Sequence, residues 1–174
     1  MNNSNLKIQT DRFLLKPINL NNVNERYSQW LSNPITSQFI SERPNLKELK
    51  DYVRKKITQK DIIFLAIYTI KDKLHIGNIK YEPINLKHKY AVMGIFIGEQ
   101  SWWGKGTALE VINASVKYLK DKYFIEEIIL GVKENNISAI KAYQKVGFNF
   151  GSSKYLKEES SNVLTMTLNT KSFG

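Results

Sequence analysis

Apolar positions recur along this chain with two periods, about every second residue and about every third or fourth, and the switches between them mark its elements. Leu6 to Pro17 alternates in part, carries Phe13-Leu14-Leu15 and closes on a proline, which predicts a first strand. Asn21 or Asn22 suits the N-cap of a helix through Asn24 to Leu31, with Tyr27, Trp30 and Leu31 on one face and Asn33-Pro34 as its stop. A second helix is predicted over Leu46 to Thr58, striped by Leu46, Leu49, Val53 and Ile57. Ile62 to Ile70 is the longest apolar run, broken only by Tyr68 and Thr69, and reads as a buried strand. Lys71-Asp72-Lys73 then turns the chain into a return strand over Leu74 to Tyr81. Ala91 to Gly98 is a fourth strand, and Trp102 to Gly106 a glycine-containing loop. Thr107 to Tyr118 is a helix with Leu109, Ile112 and Val116 toward a core. Glu127 to Val132 is a fifth strand, Ser138 to Lys145 a helix stopped by Gly147, and Val163 to Leu168 a last strand. There is no linker, repeat or low-complexity segment. Helices fall between strands, so the pattern predicts a mixed α/β fold in one domain over residues 1–174.

Composition narrows this picture. The chain has 174 residues, 42 % hydrophobic and 24 % charged, enough for one domain with a sizeable core. The absence of cysteine excludes disulfides and thiolate metal sites. His75 and His88, without a carboxylate cluster at ligand spacing, are too few for zinc, so no metal is expected. Met1 to Gln9 is polar and lacks the apolar core of a secretory signal. No apolar run approaches the ~18 residues of a membrane span. These features predict a cytoplasmic protein with no membrane partner. The net charge of +10 allows two readings, an anionic partner or a solvated lysine-rich surface. The lysines are scattered, with no block of like charge and no basic stripe interleaved with aromatics, so no nucleic-acid partner is expected.

Two stretches carry chemistry. Ile95-Phe96-Ile97-Gly98, then Gly104-Lys105-Gly106-Thr107-Ala108, then a helix, place glycines where backbone amides can approach an anion at a helix start. Neither a Walker loop nor a dinucleotide fingerprint is matched. Taken alone, these glycines equally make a plain strand-to-helix turn. The second stretch is Asn135-Asn136-Ile137-Ser138, then Ala142-Tyr143 and Gly147-Phe148. An asparagine there caps a helix, and Tyr143 offers a hydroxyl donor. Alone, they equally read as a cap and a packing residue.

Together the stretches resemble the two signatures of the GNAT superfamily of N-acetyltransferases. Gly104-Lys105-Gly106-Thr107-Ala108 is similar to the acetyl-CoA loop, with Trp103 where glutamine or arginine is usual. Asn135-x-x-Ser138 with Ala142-Tyr143-x-x-x-Gly147-Phe148 resembles the second signature. Trp102-Trp103, Thr10 to Pro17 and Ile76-Gly77-Asn78 look like the branch that holds ribosomal-protein alanine acetyltransferases and sugar-amine acetyltransferases.

The resemblance implies an α/β (α+β) GNAT fold: a single mixed, mostly antiparallel sheet, helices on both faces, and splayed fourth and fifth strands. It implies acetyl-CoA as cofactor. The pantetheine arm would lie on the backbone of Phe96, Ile97 and Gly98. The pyrophosphate would lie beside Trp103 on the amides of Gly104, Lys105, Gly106, Thr107 and Ala108. Asn135 and Ser138 would reach the arm or cap their helix, and Tyr143 would be the general acid. Neither Ala91 to Gly98 nor Ile128 to Val132 carries a carboxylate, so Glu82 and Glu99, just past the third and fourth strands, are the candidate bases, with His88 behind them. Each is equally a solvated loop residue, and an amine that arrives neutral needs no base. Trp30, Gln38, Phe39 and Arg43 are the candidates for acceptor binding, with Trp30 equally a core residue and Arg43 equally the partner of Glu42. The implied acceptor is a small-molecule amine such as an amino sugar or a nucleotide-linked amino sugar; the alternative is a protein N-terminus. A homodimer is compatible with the family. A non-catalytic binding domain is the rival from another class, and the intact Gly104, Gly106, Asn135 and Tyr143 speak against it.

Overall fold

The run from Ile62 to Ile70 is apolar on both faces because both faces of the sheet are covered. In the computed structural model, which describes residues 5–40, 44–156 and 162–173, the chain begins with strands β1 (Ile8–Gln9) and β2 (Phe13–Pro17). Helices α1 (Glu25–Ser32) and α2 (Leu46–Ile57) follow, then strands β3 (Ile63–Thr69), β4 (His75–Asn85) and β5 (Tyr90–Ile97). Helix α3 (Thr107–Tyr123), strand β6 (Glu127–Lys133), helix α4 (Ile137–Val146) and strands β7 (Asn149–Phe150) and β8 (Val163–Asn169) complete it. The sheet order is β1-β2-β3-β4-β5-β6-β8-β7. Every neighbouring pair is antiparallel except β5 and β6, which run parallel with α3 as the crossover. No helix among the described residues is long and apolar enough to cross a membrane.

Alternate residues of β3 serve two cores. Ile63, Leu65 and Ile67 join Val111, Ile112 and Val116 of α3 and Ile140 and Val146 of α4 on one face. Phe64 and Ala66 join Tyr27, Trp30 and Leu31 of α1 and Leu49 and Val53 of α2 on the other. The mixed α/β class is thus the one that the sequence pattern predicts, and helices on both faces of a single sheet are what the resemblance implies.

Boundaries shift where a local signal was ambiguous. The first predicted strand is two, folded back at Thr10–Arg12. There the Thr10 amide donates to the Phe13 carbonyl at 2.9 Å, and Thr10 Oγ1 accepts from the Phe13 amide. The α1 cap is Asn24, which accepts from the Tyr27 amide, while Asn19 and Asn22 box a 3-10 turn over Leu20–Asn22. With four asparagines in six positions, composition alone could not choose the register. β4 runs past Pro83 to Asn85 through a register shift between Tyr81 and Ile84, a bulge that tolerates the missing amide. α3 extends to Tyr123 because Leu119 is still buried against the core. β7 was not anticipated; its two residues are exposed and carry no alternation.

Candidate active site

The parallel pair at the centre of the sheet is held only at its start. Tyr90, Ala91 and Val92 register with Glu127, Ile128 and Ile129, and beyond them β5 and β6 part. Each keeps its outer neighbour, β5 with β4 through Ile97 and β6 with β8 through Lys133. The gap is a cleft of about 550 Å³, lined by Met93 to Ile97 of β5, Gly131 to Lys133 of β6, the glycine loop, the start of α3 and one face of α4. Along a strand the amide and carbonyl of one residue point to one edge and those of the next to the other. The Gly98 amide donates to the Ile76 carbonyl, on the β4 side. Ile97 and, by the same alternation, Ile95 therefore turn their backbone groups toward the gap. The Ile97 carbonyl there accepts from the Trp103 indole at 2.8 Å.

The loop at the mouth has an unusual backbone. Gly104 and Gly106 have φ of 68° and 72°, the left-handed region that a Cβ disfavours. Gly106 is also the N-cap of α3, so no side chain caps that helix and its first amides are left for a ligand. The loop is pinned by Thr107 Oγ1 on the Trp102 carbonyl at 2.9 Å and by Trp102 meeting Phe13 edge-on at 5.3 Å.

Tyr143 lies on the wall that α4 presents to the cleft. It is 9 % exposed, and burial pushes its phenol up to about 12. Asn136 caps α4 by accepting from the Ala139 amide and the Ser138 hydroxyl.

Of the residues expected at a cofactor, Phe96, Ile97, Trp103, Gly104, Gly106, Thr107, Ala108, Ser138 and Tyr143 line this cleft. Gly98, Lys105 and Asn135 do not. The Gly98 amide is taken by Ile76, Lys105 Nζ sits 5.9 Å from the Trp102 ring, and Asn135 is exposed in the turn before α4. Asn136 lines the cleft in its place; the adjacent pair gave no local reason to prefer it. Lys133, Lys141 and Lys145, which line the same cleft, were not singled out, because nothing distinguishes them from other lysines along the chain.

The acceptor candidates divide. Gln38 and Phe39 line the cleft. Arg43 lies outside the described residues. Trp30 does not reach the cleft; it is 5 % exposed, edge-on to Phe96 and His75, with the indole so close over Gly98 that a Cβ there would lie 2.0 Å from it. The apolar face of α1 carries it into the core instead of toward a ligand.

Neither candidate base lines the cleft. Glu99 accepts from Trp30 Nε1 and Arg26 Nε, both at 2.8 Å, and the Arg26 bond chiefly holds its carboxyl below the usual range. Burial alone would raise Glu82, but ion pairs with Lys56 and Lys80 hold it low. His88 sits in the β4–β5 turn, 5.9 Å from the Tyr155 ring. Among the described residues the cleft is lined by no carboxylate. A second groove of about 560 Å³, between the β1–β2 turn, α3, α4 and the end of β8, shares Lys145 with the cleft but neither its glycine loop nor its strand edge.

The Acetyltransferase (GNAT) domain family matches residues 12–149 of this chain. Among characterised proteins, the spermine/spermidine N(1)-acetyltransferase of Bacillus subtilis is 34 % identical over 71 residues, 41 % of this chain and 46 % of that protein. An N-alpha-acetyltransferase of Saccharolobus solfataricus is 40 % identical over 72 residues, 41 % of this chain and 42 % of that protein. The matched stretches thus span less than half the length of these relatives. Among solved structures, the spermidine N-acetyltransferase of Vibrio cholerae, in complex with CoA and spermine, superposes with a TM-score of 0.80. That superposition covers 94 % of this chain and 99 % of that one at 19 % identity, a likeness of fold.

Proposed function

This chain belongs to the GNAT acetyltransferase family, and on that premise we propose that it is an acetyl-CoA-dependent N-acetyltransferase, one domain over residues 1–174, that acetylates a primary amine of a small molecule. The observation that carries this reading is the gap between β5 and β6, with a free strand edge on one side, Tyr143 on its wall and a glycine loop at its mouth.

The residues fit both parts of such a cofactor. An amide-bearing arm can pair with the open edge of Ile95 and Ile97, as a further strand would. A pyrophosphate suits converging amides at an uncapped helix start, which Gly104 to Ala108 supply. Lys141 and Lys145 add positive charge on the α4 side. Bound acetyl-CoA supplies the thioester that an amine attacks. The β5 amides facing the gap donate to the carbonyl oxygen as it gains charge. Tyr143 would give its proton to the sulfur as the carbon–sulfur bond breaks, and the proton shed by the attacking amine would pass through water to the phenolate oxygen and restore the phenol.

No step here needs a base from the cleft. Glu82→Gln and Glu99→Gln are each expected to change kcat/KM less than about threefold, against the hundredfold or more that loss of a general base costs. A pH–rate profile that lost its acid limb in either variant would assign that residue as the base. Gly106→Ala forces a Cβ into the left-handed region, at about 1–2 kcal/mol, and is expected to raise the KM for acetyl-CoA about tenfold. An unchanged KM would remove the loop from the cofactor site.

Among small amines, the lining favours an acceptor that carries an anionic group, such as a nucleotide-linked amino sugar. Strand alternation sets Lys133 on the face of β6 opposite Val132, so it is turned away from the α3/α4 core while lining the same cleft as Gln38 and Phe39. A polyamine is the second reading, favoured by what the Bacillus and Vibrio proteins are named for. A protein N-terminus is the third, favoured by the Saccharolobus protein. Thiol release from acetyl-CoA, assayed with pools of amino sugars, nucleotide amino sugars, polyamines and N-terminal peptides, separates them. Release with peptides alone would overturn the small-molecule reading, and release with polyamines alone would overturn the anionic acceptor.

A further inference from the structure

Three hydrogen bonds to one carboxylate tie the β1–β2 turn to the first turn of α3, which follows the glycine loop. Glu110, in the first turn of α3, accepts from Thr10 Oγ1 at 2.6 Å and from the Arg12 amide at 2.9 Å through one oxygen, and from Arg12 Nε at 2.6 Å through the other. Burial alone would raise this carboxyl, but these bonds hold it below the usual range. Held in this way, the guanidinium reaches over the loop, and Arg12 Nη1 donates to the Lys105 carbonyl at 2.9 Å. Its Nη2 stands 3.7 Å from where a Cβ on Gly106 would lie. The arginine's Cζ is also 5.0 Å from the Phe13 ring, which meets Trp102 at the other end of the loop.

This arrangement acts on one particular peptide. In a trans peptide the carbonyl and the following amide point to opposite sides. Binding the Lys105 carbonyl on Arg12 therefore sets the direction of the Gly106 amide. Gly106 lines the cleft and Lys105 does not, so the carbonyl is the outward end and the amide the inward one. A loop with two glycines has many other backbone states open to it, and an external hold selects among them. Arg12 also offsets the charge of Glu110, which otherwise stands one helical turn from the place where an anion would bind.

We propose that Arg12 is a positioning residue for the cofactor's pyrophosphate: clamped by Glu110, it turns the Gly106 amide into the cleft and neutralises the carboxylate behind it. This rests on the acetyl-CoA reading above. It gives a role to the Thr10-Asp11-Arg12 turn, which the chemistry of the cleft leaves unused.

The test compares two acetyl donors. S-acetyl-N-acetylcysteamine has the thioester and an amide but no phosphate. In Arg12→Ala, the loss of kcat/KM with acetyl-CoA should exceed the loss with this truncated donor about tenfold, the worth of a charge-assisted hydrogen bond, and should fall on the KM for acetyl-CoA rather than on that for the acceptor. Arg12→Lys, whose single ammonium cannot bridge Glu110 and the Lys105 carbonyl as the guanidinium does, should recover only part. Equal losses with both donors would reduce Arg12 to a general structural role and overturn the inference, as would an unchanged KM for acetyl-CoA. If Arg12→Ala does not fold by thermal melting, Glu110→Gln, which unclamps the guanidinium, takes its place with the same expectation. Calorimetry with CoA on the parent protein separates the two levels. A parent that binds no CoA brings down the cofactor reading and the inference with it; a parent that binds CoA, with variants that discriminate no donor, overturns the inference alone.

Discussion

Replacing Tyr143 by phenylalanine is expected to cut kcat about a hundredfold to a thousandfold while moving the KM for acetyl-CoA less than about threefold. The ring stays, so the contact with Phe148 at 5.9 Å and the wall of the cleft stay with it. Only the hydroxyl is lost, and with it the proton for the departing sulfur. Burial disfavours the phenolate and pushes the phenol up to about 12, so the group is protonated throughout the neutral range. The sign of the pH dependence follows. An acid with a raised pKa is fully competent below that value and loses competence only as the pH climbs through it. An alkaline fall in kcat due to Tyr143 should therefore begin only above about pH 11, and any limb between about pH 6 and 9 belongs to another group, the acceptor amine first. A Tyr143→Phe protein with kcat near the parent's would falsify the assignment.

Trp30→Ala is the largest expected loss of stability, about 3–5 kcal/mol by urea unfolding. The indole fills the space between α1 and β5 against Tyr27, His75 and Phe96, with its N–H on Glu99. Truncation empties a site that cannot collapse easily, because Gly98 already lets the ring approach as closely as the backbone permits. It also deprives the Glu99 carboxylate of one of its two side-chain donors. Phe39→Ala is the contrast: Phe39 is half-buried on the cleft, so its loss should raise the KM for the acceptor more than it lowers the midpoint of unfolding. The placement of Trp30 in the core would be untenable if Trp30→Ala kept its stability within about 1 kcal/mol while binding the acceptor more weakly.

Much of this protein is legible without its tertiary structure because the signals are local. The doubly apolar run of β3, the stripe of α2, the glycine that ends α4 and the loop before α3 each lie within one short segment, where backbone geometry restricts the residues allowed. The resemblance to an acetyl-CoA site was legible for the same reason: amides at a helix start need glycines at fixed offsets. What the sequence left open depended on residues brought together from afar. Trp30 has the chemistry of a ligand platform, and only the packing of α1 on β5 makes it core. Glu82 and Glu99 have the chemistry of bases, and only Lys56 and Arg26, brought in by helices α2 and α1, together with Lys80 two residues from Glu82 on β4, hold them as ion pairs. Arg12 and Glu110 are 98 positions apart and meet only because the β1–β2 turn folds against the start of α3. A side chain's chemical type is written in the chain, but whether it is free to act depends on burial and on neighbouring charge, and both are properties of the folded whole.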